Sequence, residues 1–89
     1  MTYSVQIKPA AQRQIKKLPL DIQAQIIQKL AELELDPRPI NVQKLSGEEN
    51  AYRVRVGDYR IVYEIYDQVL LVIVVKVGNR REIYRRKWA

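Results

Sequence analysis

Between Tyr52 and Tyr63 the chain alternates with period two, Tyr52, Val54 and Val56 against Arg53 and Arg55, then Tyr59, Ile61 and Tyr63 against Arg60 and Val62. Gly57-Asp58 separates the two runs and fits a two-residue type I′ or II′ turn, with the glycine supplying a positive φ. The segment reads as a β-hairpin pairing Val56 with Tyr59, Arg55 with Arg60, Val54 with Ile61 and Arg53 with Val62. Arg53, Arg55 and Arg60 then share one face, while Tyr52, Tyr59 and Tyr63 occupy the opposite, core-forming face. Like charges directly opposed on a sheet cost roughly 0.2 to 1 kcal/mol. A polyanion bound to that face would turn repulsion into attraction.

Elsewhere the pattern changes period. Tyr3 to Lys8 reads as a short strand, and Pro9 suits the first turn of a helix running to about Leu18. Leu18-Pro19-Leu20 breaks it. From about Pro19 to Leu35, Ile22, Ile26, Leu30 and Leu33 recur at helical spacing with Leu20, Ala24, Ile27 and Ala31 beside them, a broad apolar stripe expected to pack on a sheet. Asp36-Pro37-Arg38-Pro39 ends this helix, and Ile40 to Asn50 reads as a loop containing Leu45-Ser46-Gly47. Val69 to Val75 is aliphatic without interruption, which predicts a strand covered on both faces and central in the sheet. Gly78-Asn79 is expected to close it, leaving a tail that continues as a short strand or a frayed end. The order β-α-α-β-β-β predicts an α+β fold, two N-terminal helices packed on a small antiparallel or mixed sheet.

At 89 residues the chain is expected to form one domain, 1–89, burying around 60 to 65% of its unfolded surface in one modest core. The formal charge of +6 and a pI near 9.8 favour an anionic partner. The charge is concentrated late: Lys76, Arg80, Arg81, Arg85, Arg86 and Lys87 face only Glu82 after Val75. With no Cys and no His, disulfides, cysteine nucleophiles, thiolate metal sites and imidazole bases are excluded. Any catalysis must use carboxylates, Tyr, Lys, Arg or groups of the substrate. The N-terminus shows no secretory pattern, and the longest aliphatic run is far below the ~20 residues that span a bilayer. The expectation is a cytoplasmic protein without membrane association.

Lys44-Leu45-Ser46-Gly47, Tyr52-Arg53-Val54-Arg55, Asp58-Tyr59-Arg60-Ile61-Val62-Tyr63 and Val77-Gly78-Asn79-Arg80-Arg81-Glu82-Ile83-Tyr84, together with the opening strand and helical hairpin, resemble the RelE branch of the RelE/ParE superfamily of bacterial type II toxins across essentially the whole chain. The resemblance implies the RelE-like fold and a toxin that cuts mRNA in the ribosomal A site and is neutralised by a co-expressed antitoxin. It also implies functional roles at Arg53, Arg55, Arg60, Arg80 and Tyr84. Relatives often carry lysines where this chain has Arg53 and Arg55, and many carry histidine where it has Asn79, so neither a lysine nor a histidine base is available at those places.

The residue types suit the chemistry. RNA cleavage without a metal or cofactor uses the ribose 2′-hydroxyl as internal nucleophile, and guanidinium groups hold phosphate oxygens bidentately while staying charged. Arg60 and Arg80 are assigned to the scissile phosphate. Tyr84 is the first candidate for the base, or alternatively a platform on which a nucleobase stacks; Glu49 or Glu48 comes second. Lys44, Arg81, Arg85, Arg86 and Lys87 are expected to attract RNA or the ribosome. The plainer reading of the arginine face is a solvated sheet surface.

Two other functions compete with the endoribonuclease: a ParE-like gyrase poison, and a basic RNA-binding module without catalysis. The expected partners are mRNA on the 70S ribosome and an antitoxin with an acidic or amphipathic segment, through which the complex would bind its promoter DNA.

Overall fold

The computed structural model describes residues 2–79, so Arg80, Arg81, Tyr84, Arg85, Arg86 and Lys87, with the expected tail element, lie outside the described residues. Strand β1 (Ser4–Ile7) leads through α1 (Pro9–Lys16) and α2 (Leu20–Leu35) to β2 (Gln43–Lys44), β3 (Ala51–Val56), β4 (Tyr59–Tyr66) and β5 (Leu71–Asn79). The sheet order is β1-β5-β4-β3-β2, with β1 parallel to β5 and the other neighbours antiparallel. The helices pack on one face of this mixed sheet, which is the α+β arrangement expected.

Local chemistry sets the boundaries. Pro9 opens α1, and the end of α1 is closed by Gln23 of α2, whose Nε2 donates to the Leu18 carbonyl at 2.8 Å and the Lys16 carbonyl at 3.3 Å. Those carbonyls have no intrahelical partner, so the contact both caps one helix and fixes the approach of the next. After α2, Asp36 turns to extended backbone before Pro37, and its carboxylate accepts the Arg38 N–H at 3.1 Å.

Ile26, Leu30 and Leu33 of α2 meet Ala11 and Ile15 of α1 and the inner sheet residues Val54, Val56, Ile61, Tyr63, Ile65, Val72, Val74 and Val77. Each large aliphatic side chain fully buried there contributes about 1.5 to 3 kcal/mol. The stripe on α2 is narrower than expected. Ile22 packs partly against the core, while Leu20 is 82% and Ile27 54% exposed. Their positions fall on the side of the helix turned from the sheet, because one helix on one sheet buries only about a third of its circumference.

The hairpin forms in the expected register, from Val56 opposite Tyr59 to Arg53 opposite Val62. Gly57 has φ +59° and Asp58 stays at negative φ, the sign pattern of a type II′ turn.

Three expectations are corrected. The loop from Ile40 to Asn50 contains β2, two residues long and therefore without periodicity to reveal it. The β4–β5 connection is a 3-10 turn over Asp67–Val69 followed by Leu70 at φ +51°, so Val69 is exposed and the strand runs from Leu71 through Gly78 and Asn79. Finally, β5 lies between β1 and β4 but is not fully covered on both faces: Val72, Val74 and Val77 are buried, whereas Leu71, Ile73 and Val75 are half-buried. Among the described residues, no helix is long and apolar enough to cross a membrane.

Candidate active site

The sheet face turned from the helices carries the cationic residues in two rows. Arg55 of β3 lies opposite Arg60 of β4, which lies opposite Gly78 of β5; one step along, Arg53 lies opposite Val62 and Val62 opposite Lys76. Strand β5 reaches this arrangement through a bulge. Val62 pairs with Lys76 but Tyr63 with Val74, so Val75 is an extra residue, and the alternation changes phase after it. Val72, Val74 and Val77 therefore all face the helices, and Lys76 joins the arginines.

The three arginines sit at different depths. Arg60 is only 8% exposed, Arg53 is half-buried and Arg55 is exposed. Arg53 donates from Nε and Nη2 to Oε1 of Gln43, its partner on β2, at 3.0 and 2.7 Å. Arg55 donates from Nε to the Gly57 carbonyl at 2.8 Å, which leaves both Nη nitrogens without a partner among the described residues. Tethering through Nε holds a guanidinium in place while its outer edge stays available for a phosphate.

Arg53, Arg55 and Arg60 line a cleft of about 520 Å³ together with Ile40, Asn41, Val42 and Gln43, the last of them beside Arg53 on the neighbouring strand. The segment that leads into residues 40–43 is pinned. Arg38 donates from Nη1 and Nη2 to the Asp67 carboxylate at 3.0 and 2.8 Å, and the Tyr3 hydroxyl donates to the same carboxylate at 2.7 Å. Arg38 Nε also donates to the Tyr52 hydroxyl at 3.3 Å, and the buried Tyr63 hydroxyl donates to the Pro37 carbonyl at 2.6 Å. The Arg38 and Tyr3 hydrogen bonds bring the Asp67 carboxyl down to about 2. Burial pushes the Tyr63 phenol above the ordinary tyrosine range, which leaves it a structural donor and not a proton acceptor.

Of the site residues expected from sequence, Arg53, Arg55 and Arg60 come together. Lys44 pairs with Tyr52, so the register sets it on the opposite face at the sheet edge. Glu48 and Glu49 line a separate depression with Lys44, Leu45, Ser46 and Gly47, away from the arginine cleft. Arg80 and Tyr84 lie outside the described residues, with Arg81, Arg85, Arg86 and Lys87. Among the described residues, no group of three or more His, Cys, Asp or Glu side chains is placed to hold a metal ion. Sequence reasoning missed Gln43 and Lys76. The first carries no motif, and the second is displaced by a bulge that alternation does not anticipate.

Residues 5–84 match the family model described as ParE toxin of type II toxin–antitoxin system, parDE. The chain is 35% identical to Toxin RelG of Mycobacterium tuberculosis, over 97% of this chain and 100% of that toxin. It is 32% identical to the mRNA interferase toxin RelE of Escherichia coli, over 94% of this chain and 92% of that one. Among solved structures, it resembles the archaeal RelE–RelB complex of Pyrococcus horikoshii, with a TM-score of 0.80 and 29% identity over 90% of this chain and 97% of that one. It also resembles a mutant of E. coli RelE in the free state, with a TM-score of 0.79 and 30% identity over 96% and 93%.

Proposed function

The chain belongs to the RelE-type toxins of the RelE/ParE superfamily of type II toxin–antitoxin systems, and from that premise we propose that it is an endoribonuclease that cuts mRNA in the ribosomal A site without a metal. The observation that carries the reading is the gathering of Arg53, Arg55 and Arg60 in one cleft. Its volume falls in the range of small-ligand sites, roughly 300 to 1,000 Å³.

In the reaction, the 2′-oxygen bonds to the adjacent phosphorus, its proton passes to a base, and the bond from phosphorus to the 5′-oxygen breaks as that oxygen takes up a proton. The products are a 2′,3′-cyclic phosphate and a 5′-hydroxyl. Arg60, the deepest guanidinium, and Arg55, with its outer edge available, stabilise the charge that builds on the non-bridging oxygens. Arg53 and Lys76 add positive potential on the same face. Arg80 and Tyr84 complete the set by family resemblance, as phosphate ligand and base. The place of Glu48 and Glu49 in a separate depression favours Tyr84 over either carboxylate as the base.

An antitoxin with an acidic or amphipathic segment is the proposed partner, silencing the toxin in the cytoplasm and linking the complex to promoter DNA. The cationic cleft and the exposed Leu20 and Ile27 are the two kinds of surface such a segment covers. Arg60→Ala is expected to slow cleavage by roughly 10²- to 10³-fold, the scale of losing one charge-stabilising donor. Single-turnover cleavage of a ribosome-bound mRNA, with product ends identified by phosphatase and kinase treatment and folding checked by thermal melting, tests this. A rate within twofold of wild type would remove Arg60 from the site.

The ParE description of the matching family favours one second reading, poisoning of DNA gyrase. Trapped gyrase–DNA complexes with intact mRNA would establish it instead.

A further inference from the structure

We propose that the segment beside the arginines reads a nucleobase, with the Gln43 side-chain amide selecting a base that carries a keto oxygen at its exocyclic position. The inference rests on the endoribonuclease reading and adds a specificity-determining residue to it. Phosphate contacts position a nucleic acid but carry no sequence information; base edges do. The cleft offers both kinds of contact. Its lining combines three guanidinium groups with two amide side chains, Asn41 and Gln43, and two aliphatic ones, Ile40 and Val42, from the segment beside them.

Gln43 is oriented by chemistry. Both Arg53 Nε and Arg53 Nη2 are donors and converge on one atom of the Gln43 amide, so that atom is the carbonyl oxygen. The amino group is therefore the end of the amide left to meet a ligand, and it can only donate. Set against the exocyclic group of a base, such a donor bonds guanine O6 or uracil O4, whereas adenine N6 and cytosine N4 present hydrogens of their own there; ring N7, an acceptor in guanine and adenine alike, does not discriminate. Beside it, Ile40 is 99% exposed, an apolar surface on which the face of an unstacked base can rest. This segment is preorganised: Arg38 is clamped to Asp67, and the Val42 N–H donates to the Pro39 carbonyl at 3.0 Å. A fixed donor discriminates between bases better than a mobile one, because less ordering is lost on binding.

The test uses the full chain on translating ribosomes supplied with mRNAs that sample all four bases at each codon position, with cut sites mapped by their 5′ ends. Wild type is expected to favour G or U over A or C at one fixed position relative to the cut. Gln43→Glu keeps an oxygen for Arg53 and replaces the amino group with a second acceptor, so the preference at that position is expected to fall about tenfold or invert. Gln43→Met, which keeps length without charge or hydrogen bonding, is expected to flatten it. Arg55→Ala is expected to lower cutting at all sites alike. Cleavage by both Gln43 variants with the wild-type preference intact overturns the inference and leaves the nuclease standing, as does loss of all cleavage in both, which would make Gln43 a requirement for the reaction itself. No cleavage by the wild type overturns both readings.

Discussion

The Asp67 carboxylate holds together three separated parts of the chain: Tyr3 before β1, Arg38 after α2, and its own 3-10 turn between β4 and β5. Because its partners bring it to about 2 in the fold, below the ordinary carboxylate value near 3.9, the folded state binds this proton less readily than the unfolded chain. Its stabilisation is present above about pH 4 and lost as pH falls toward 2. Asp67→Asn is thus expected to lower the melting temperature at pH 7 by more than at pH 2.5, which a thermal melt of both proteins at each pH checks. The arginines of the site were legible at this scale because each sits in a period-two pattern. Gln43 was not, since a two-residue strand has no pattern, and neither was Asp67, whose partners lie far away in sequence.

At the scale of elements, the hairpin was legible down to its register because alternation and a Gly-Asp turn agree. Gly57 is the residue on which that agreement rests. A Cβ there meets no atom nearer than Gln25 Oε1 at 4.0 Å, so the cost of Gly57→Ala is conformational, from φ +59°, and not steric crowding. A loss of about 1 to 2 kcal/mol is expected in urea unfolding. Strand β5 was less legible. Its unbroken aliphatic run predicted two covered faces, but the bulge at Val75 gives the helices three valines and the other face Lys76. The same bulge lets Gln14 of α1 reach the Val77 N–H at 2.8 Å, bringing a helix side chain into the backbone pairing just before Gly78. An irregularity of this kind is tolerated where it re-aims side chains toward a site.

For the whole molecule, the absence of histidine shapes what the pH dependence can be. With Tyr84 as the proposed base, the cleavage rate is expected to show no inflection near pH 6.5, in contrast to an imidazole-dependent nuclease. A pH–rate profile of single-turnover cleavage between pH 5.5 and 8.5 checks this, and a clear break near 6.5 would require a carboxylate or phenol shifted far from its ordinary range. The division of labour follows from topology: helices and the inner sheet face hold the fold, and the outer face gathers Arg53, Arg55, Arg60 and Lys76 from three adjacent strands. The most direct test of the account is primer-extension mapping of mRNA on translating ribosomes, comparing wild type with Arg60→Ala and Arg80→Ala. Cuts within the A-site codon that fade in both variants are the expected result. Intact mRNA under conditions where the wild-type protein still arrests growth would contradict it and direct attention to gyrase.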